Sequence, residues 1–146
     1  MSFSFDTKNE LCRLPVQKLC CARAEAYGIL LYCHTFSASE VRIITANENL
    51  AARLPRLFQR AFDVRFDRRP EPSGGEPGGK MVFQIHAQKK LDHMINLLGY
   101  EPRQNLALHI NFAMVEEDCC RAAFLRGCFF AGGSVTDPLK HYHLEL

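Results

Sequence analysis

Two pairs of adjacent cysteines, Cys20-Cys21 and Cys119-Cys120, are the residues of this chain best equipped for chemistry. Four thiolates together can hold a zinc ion. Adjacent residues on a helix point about 100° apart, however, so both members of one pair rarely reach the same ion. Structural zinc sites usually separate their cysteines by roughly two to four residues. The pairs are therefore assigned to helix packing, in which free cysteine acts as a small hydrophobe. His141 and His143 share one side of a strand near the chain end without a third ligand nearby, and Cys33-His34 lacks a partner to activate the thiol. No metal and no cofactor is assigned.

The second chemical feature is basic. Arg53, Arg56 and Arg60 recur at three- and four-residue spacing along one helix, and Arg65, Arg68, Arg69 and Lys80 lie on or beside two strands. Arg42, Arg65 and Gln84 fall on strands, opposite the apolar side chains assigned to the core. Basic and amide side chains of this kind can contact phosphates and base edges. Against this stands an ordinary solvated surface, partly neutralised by Asp63, Asp67, Glu71 and Glu76. Aromatic residues are not interleaved with the basic ones, and the phenylalanines belong to the core.

Composition bounds the answer. A chain of 146 residues with 47% apolar residues can build one proper core. A net charge of +2 does not by itself announce a nucleic-acid binder. Seven cysteines outside any disulfide-scaffold spacing, without a secretory signal, indicate a reducing cytoplasm. No apolar run approaches the about 18 residues of a membrane span.

The elements that must position these residues follow from periodicity. Ser4 or Asp6 caps a short helix through Lys8, Leu11 and Cys12, which Pro15 breaks. A helix from about Gln17 to His34 is followed by a turn at 37–39 and a strand at Glu40–Thr45. Asn47 caps a helix with Leu50, Leu54, Leu57, Phe58 and Ala61 on one stripe, although Pro55 favours a start near Leu54. Asp63–Asp67 and Lys80–His86 read as a hairpin joined by the loop Arg69–Gly79. Gln88–Leu98 is a helix ending at Gly99, and Leu106–Val115 is ambiguous between strand and helix. A helix from about Glu117 to Ala131 is apolar on almost every side and is ended by the Gly132-Gly133 pair; Tyr142–Leu146 opens another strand.

Two of these helices echo each other. Superposing Cys20-Cys21 on Cys119-Cys120 also superposes Ala24 on Ala123 and Gly28 on Gly127, then Leu30-Leu31 on Phe129-Phe130 and Thr35 on Ser134. A small-residue helix used twice predicts a pseudo-symmetric fold in which Cys20, Cys21, Ala24 and Gly28 pack against Cys119, Cys120, Ala123 and Gly127. After the first helix come a strand, a helix and two more strands. After the second the chain ends inside one strand, which has no ladder partner in this reading and points to truncation.

Leu125–Val135, LRGCFFAGGSV, resembles the signature helix of LAGLIDADG homing endonucleases. CCRAAFLRGCFFAGGSVTDP, with SFSFDTKNELCRLP near the start and YHLEL at the end, resembles the WhiA family of bacterial regulators, and the likeness runs the length of the chain. The resemblance implies an α+β, LAGLIDADG homing-endonuclease-like fold with a mixed or antiparallel sheet packed on helices. Residues 1–105 would be one degenerate repeat, and 106–146 the signature helix and first strand of a truncated second. The C-terminal helix-turn-helix of that family is absent from this sequence. The implied function is non-catalytic: part of a DNA-binding transcriptional regulator of sporulation, cell division and chromosome segregation, cytoplasmic and associated with the nucleoid. DNA would be held mainly by the missing helix-turn-helix and also by the sheet, which such folds lay over the major groove; the resemblance thus makes Arg42, Arg65, Arg68, Arg69, Lys80 and Gln84 the DNA-contact candidates. The alternative is a protein-interaction scaffold without DNA contact. In the nucleases each signature helix ends in a carboxylate that helps bind a divalent cation, and hard cations need oxygen ligands. The matching positions here are Cys33 and Gly132, and Asp137 lies beyond the helix end.

Overall fold

The computed structural model describes residues 3–16, 18–70, 79–100, 111–135, 139 and 143–146. Its centre is a helix pair, α2 (Leu19–Tyr32) and α5 (Asp118–Gly132). Ala22, Ala24, Ala26, Tyr27, Ile29 and Leu30 of the first are buried, as are Cys120, Ala123, Phe124, Cys128 and Phe130 of the second. A helix apolar all round has to be covered on several faces, and these two cover each other.

The closeness of that contact rests on two glycines. A Cβ on Gly28 would lie 2.3 Å from the Phe124 carbonyl oxygen, and one on Gly127 would lie 2.0 Å from that of Glu25. Glu25 and Phe124 are themselves equivalent in the internal repeat, so the contact is reciprocal and the pair has a pseudo-two-fold relation. The cysteine pairs meet at the N-terminal ends, while Gly132 meets Tyr32 at the C-terminal ends, so the helices run parallel. Ala24 and Ala123 are fully buried, and Gly28 and Gly127 each face backbone of the other helix.

Each of the two helices feeds a small antiparallel sheet. After α2 come β1 (Thr35–Phe36), β2 (Val41–Thr45) and, later, β3 (Met81–Ile85), in the order β1-β2-β3. Val41, Ile43, Phe83 and Ile85 point inward to the core. After α5 comes β4 (Ser134–Val135), which pairs with β5 (Leu144–Glu145). The closing strand therefore has the ladder partner that the sequence did not reveal. Two-residue strands such as β1 and β4 are too short to leave a period-two pattern.

Helix α3 (Glu48–Phe62) departs from expectation by running straight through Pro55 instead of starting near it. The Asn47 side chain accepts hydrogen bonds from the Asn49 and Leu50 amides, fixing the start well ahead of the proline. Burial of Leu50, Leu54, Leu57, Phe58, Ala61 and Phe62 outweighs the about 3 kcal/mol an interior proline costs. Asp63 ends the helix in the left-handed region at φ 55°.

Beyond it, residues 63–67 do not form the expected strand. They bury Val64 and Phe66 and meet β3 at Gln84, whose carbonyl accepts from the Asp67 amide beside the bridge formed by Arg68. The hairpin is thus replaced by pairing of β3 with β2. Phe62, Phe58, Phe66 and Phe83 stack in sequence, with centroids 4.8–5.6 Å apart.

Helix α1 (Phe3–Leu11) already includes Ser4 and Asp6, so neither caps it as predicted. Ser4 Oγ instead donates to the Val135 carbonyl and accepts from the Val135 amide, docking α1 on β4. Helix α4 (Gln88–Leu97) ends as predicted at Gly99, φ 86°, where the Gly99 and Tyr100 amides donate to Asn96 and Ile95. Of the ambiguous segment, Phe112–Val115 is a 3-10 turn, and 106–110 lie outside the described residues. Neither glycine of the 132–133 pair has positive φ. Gly133 is required for space, since a Cβ there would sit 2.3 Å from the Phe129 ring.

The start of α4 carries a testable electrostatic feature. Asp67 Oδ2 accepts from the His86 and Ala87 amides, at 2.8 and 2.9 Å, and Oδ1 pairs with Lys90 at 2.6 Å. Burial alone would raise the Asp67 pKa, but Lys90 and the two amides hold it down at about 2, against an ordinary 3.8. The unfolded chain binds this proton more tightly than the folded one. The contribution is therefore complete above pH 3.8 and is lost as pH falls toward 2. Asp67→Ala is expected to cost about 1 kcal/mol at neutral pH and to remove this acid-limb contribution, read by urea denaturation between pH 2 and 7.

The two helix ends and the sheet face

The C-terminal ends of α2 and α5 are the places where a LAGLIDADG nuclease keeps its metal-binding carboxylates. Cys33 caps α2, and its thiol donates to the Leu30 and Thr35 carbonyls at 3.2 Å each. Burial pushes that thiol up to about 12, and the neighbouring His34 ring bonds Thr35 instead. This is an inert sulfur, not a nucleophile. Gly132 has no side chain, and Tyr32 fills the space beside it. Asp137 and His141 lie outside the described residues, and His143 meets Glu145 at 3.2 Å.

The outward face of the three-stranded sheet gathers some of the DNA-contact candidates. Thr35, Arg42 and Gln84 are cross-strand neighbours in register, and the bridge adds Arg68 to the same row. Arg68 donates to the Gln84 side chain at 3.3 Å, and Gln84 donates to Glu40 at 2.9 Å. Glu40 also pairs with Arg42 at 2.9 Å. The Arg42 Nε is buried and has no hydrogen-bond partner among the described residues. Hydrogen bonding from Gln84, then the Arg42 charge, holds the Glu40 carboxyl below its ordinary value, so it stays ionised in this row. Arg65, Arg69 and Lys80 are exposed. Arg65 lies outside any strand, contrary to expectation, and among the described residues no hydrogen bond or bridge joins its side chain to the row.

Arg53 belongs elsewhere. Instead of joining Arg56 and Arg60 on a solvated face, it is buried, 1% exposed, and forms a two-pronged pair with Glu25 at 2.8 and 2.9 Å. It also donates to the Cys12 and Leu14 carbonyls and lies over the Phe130 ring. Arg126 of α5 reaches the same Glu25 at 2.5 Å. The signal is present in the sequence: Arg53 shares the Leu50, Leu54, Leu57 stripe, and Glu25 interrupts an otherwise apolar helix.

At the opposite, N-terminal end the four paired cysteines converge. The sulfurs of Cys20, Cys21, Cys119 and Cys120 all lie within 4.8 Å of one another. The diverging geometry of one pair is overcome because the pseudo-two-fold relation sets a second pair against it. Cys120 is buried, Cys21 half-buried, and Cys20 and Cys119 are exposed, so the last two do not serve packing as the sequence suggested. Hydrogen bonding from Cys120 and the other thiols lowers the Cys20 pKa, while burial raises Cys21 to about 11 and Cys120 to about 12.

Residues 121–146 match the family model of the WhiA LAGLIDADG-like domain. Over its whole length the chain is 31% identical to a probable cell division protein WhiA of Ruminiclostridium cellulolyticum and 34% identical to one of Carboxydothermus hydrogenoformans, covering 48% of each. A crystal structure of the N-terminal LAGLIDADG domain of DUF199/WhiA superposes with a TM-score of 0.67, covering 98% of this chain and 64% of that one at 18% identity. Over its whole length the chain is similar to WhiA proteins. It spans about half the length of the curated WhiA relatives it matches. The WhiA likeness accounts for the parallel α2–α5 pair and its flanking antiparallel sheets, the LAGLIDADG arrangement expected from the sequence. Among the described residues no helix is long and apolar enough to cross a membrane.

Proposed function

We propose that this chain is the non-catalytic, LAGLIDADG-like part of a WhiA-type DNA-binding transcriptional regulator acting in sporulation, cell division and chromosome segregation. Residues 1–105 serve as a first repeat and 106–146 as the opening of a second. The observation that carries the reading is the pairing of a retained sheet face with lost acid positions. The row of Arg42, Gln84 and Arg68 offers donors to phosphates and base edges, and Arg69 and Lys80 add charge nearby. Cys33 and Gly132, at the helix ends, offer no carboxylate to a cation. The helix-turn-helix known from the family would supply most of the affinity, with this face adding auxiliary contacts in the cytoplasm, at the nucleoid. Incubating supercoiled plasmid with the chain and Mg²⁺ tests the non-catalytic half of the reading: retarded but intact DNA is expected, and metal-dependent nicking would contradict it.

One observation favours a second reading. Glu40 already engages both Arg42 and Gln84, and Ile44 and Val82, adjacent on the same outward face, are only half-buried. A face so neutralised and partly apolar also suits a protein partner, in which case the chain is an interaction scaffold. Glu40→Gln separates the two: it frees Arg42 and should strengthen DNA binding, whereas a protein-binding face gains nothing for DNA.

A further inference from the structure

We propose that Cys20, Cys21, Cys119 and Cys120 form a four-thiolate site for zinc that ties together the N-terminal ends of the two central helices. The sulfurs already lie within 4.8 Å of one another. With Zn–S bonds near 2.3 Å, a tetrahedral site needs sulfurs about 3.8 Å apart, which rotamer adjustments of under ~1 Å at each thiol provide. Four soft donors in one volume, with no carboxylate among them, select zinc over magnesium or calcium.

Packing alone does not explain the arrangement. Two of the four thiols are exposed, and exposed cysteine contributes little burial that serine would not. The surroundings suit anionic sulfur. The cysteines occupy the second and third positions of both helices, and neither helix start has a side-chain cap, so the thiols sit in the first turns, at two positive dipole ends. A cleft of about 340 Å³, lined by Lys18, Cys21, Cys119 and Arg126 among others, opens beside it and gives an ion a way in. Each helix supplies two ligands, so the ion bridges the repeat and its echo across the same interface that Gly28 and Gly127 keep close. Loading forms four Zn–S bonds and releases the four thiol protons to buffer, so uptake strengthens as pH rises.

Titrating the fully reduced chain with Co²⁺ tests this. One equivalent should give the near-ultraviolet thiolate-to-cobalt band and the visible absorption of a tetrahedral ion, both abolished by Zn²⁺. The Cys20→Ser/Cys119→Ser variant changes only exposed positions, and circular dichroism checks that its helices persist. It should bind weaker by on the order of 100-fold or more. Cys33→Ser should bind as the parent does. A folded, reduced parent that gives no cobalt spectrum overturns the proposal, as does an unchanged spectrum in the double variant. Zinc that fails to slow alkylation of the four thiols also overturns it.

Discussion

Gly127→Ala is expected to destabilise the fold by about 2–3 kcal/mol, lowering the melting temperature by roughly 5–10 °C. The added methyl would sit 2.0 Å from the Glu25 oxygen and 2.9 Å from its carbonyl carbon, which are backbone atoms and cannot rotate away. The only relief is separation of α2 from α5. Gly28→Ala should act alike, because its methyl meets the Phe124 oxygen at 2.3 Å and the Cys128 amide nitrogen at 2.8 Å. Both substitutions drive the same separation, so the double variant should cost less than the sum of the two. Gly132→Ala is the contrast: its methyl meets only the Tyr32 side chain, at 3.1 Å, and the change should stay within about 1 kcal/mol. Equal effects at all three glycines would remove the close helix pair as the organising contact. Because β1 and β4 leave the C-terminal ends of these helices, separating them also displaces one sheet from the other.

Arg53→Ala should destabilise by about 3–5 kcal/mol, measured by urea denaturation at pH 7. It strands the 1% exposed Glu25 carboxylate without its two-pronged partner and leaves the Cys12 and Leu14 carbonyls without a donor. Arg126 remains as a single contact at 2.5 Å, so the carboxylate is not wholly bare. Arg126→Ala should cost much less, about 1 kcal/mol, since that side chain is 18% exposed and Arg53 still neutralises Glu25. Replacing Glu25 and Arg53 together by leucine and methionine should recover much of the loss, because an apolar pair of similar volume avoids the desolvation of two charges. An Arg53→Ala effect below about 1 kcal/mol would mean that water reaches Glu25 in solution.

The central pair is legible in the sequence because small residues and glycines recur at fixed spacing in two helices, and such a pattern has one economical packing solution. Gly99, the Asn47 cap and the inward residues of β2 and β3 are legible for the same local reason: each rests on near neighbours. What the sequence hides is long-range. Arg53 reads as part of a solvated basic face because arginine is rarely buried, although its place in the apolar stripe of α3 points inward. Pro55 reads as a helix start because its cost is local, whereas the burial that overrides it comes from elements distant in sequence. Residues 63–67 alternate as a strand should, yet the ladder of β3 forms with β2, and this segment meets β3 only near Gln84, at the Asp67 amide and the Arg68 bridge that follows. The cysteine cluster is invisible in either pair alone, because it takes two helices to bring four sulfurs together.

The most direct test of the proposed role is duplex DNA binding by this chain across a salt series, beside a longer WhiA protein that carries its helix-turn-helix. The chain alone is expected to bind, with log affinity falling linearly in log salt. Arg42→Ala/Arg68→Ala should flatten the slope by about 2, or roughly 0.9 for each phosphate that no longer meets an arginine. If only the longer protein binds, or if the double variant keeps the parent slope, the sheet face does not touch DNA and the domain serves as a scaffold.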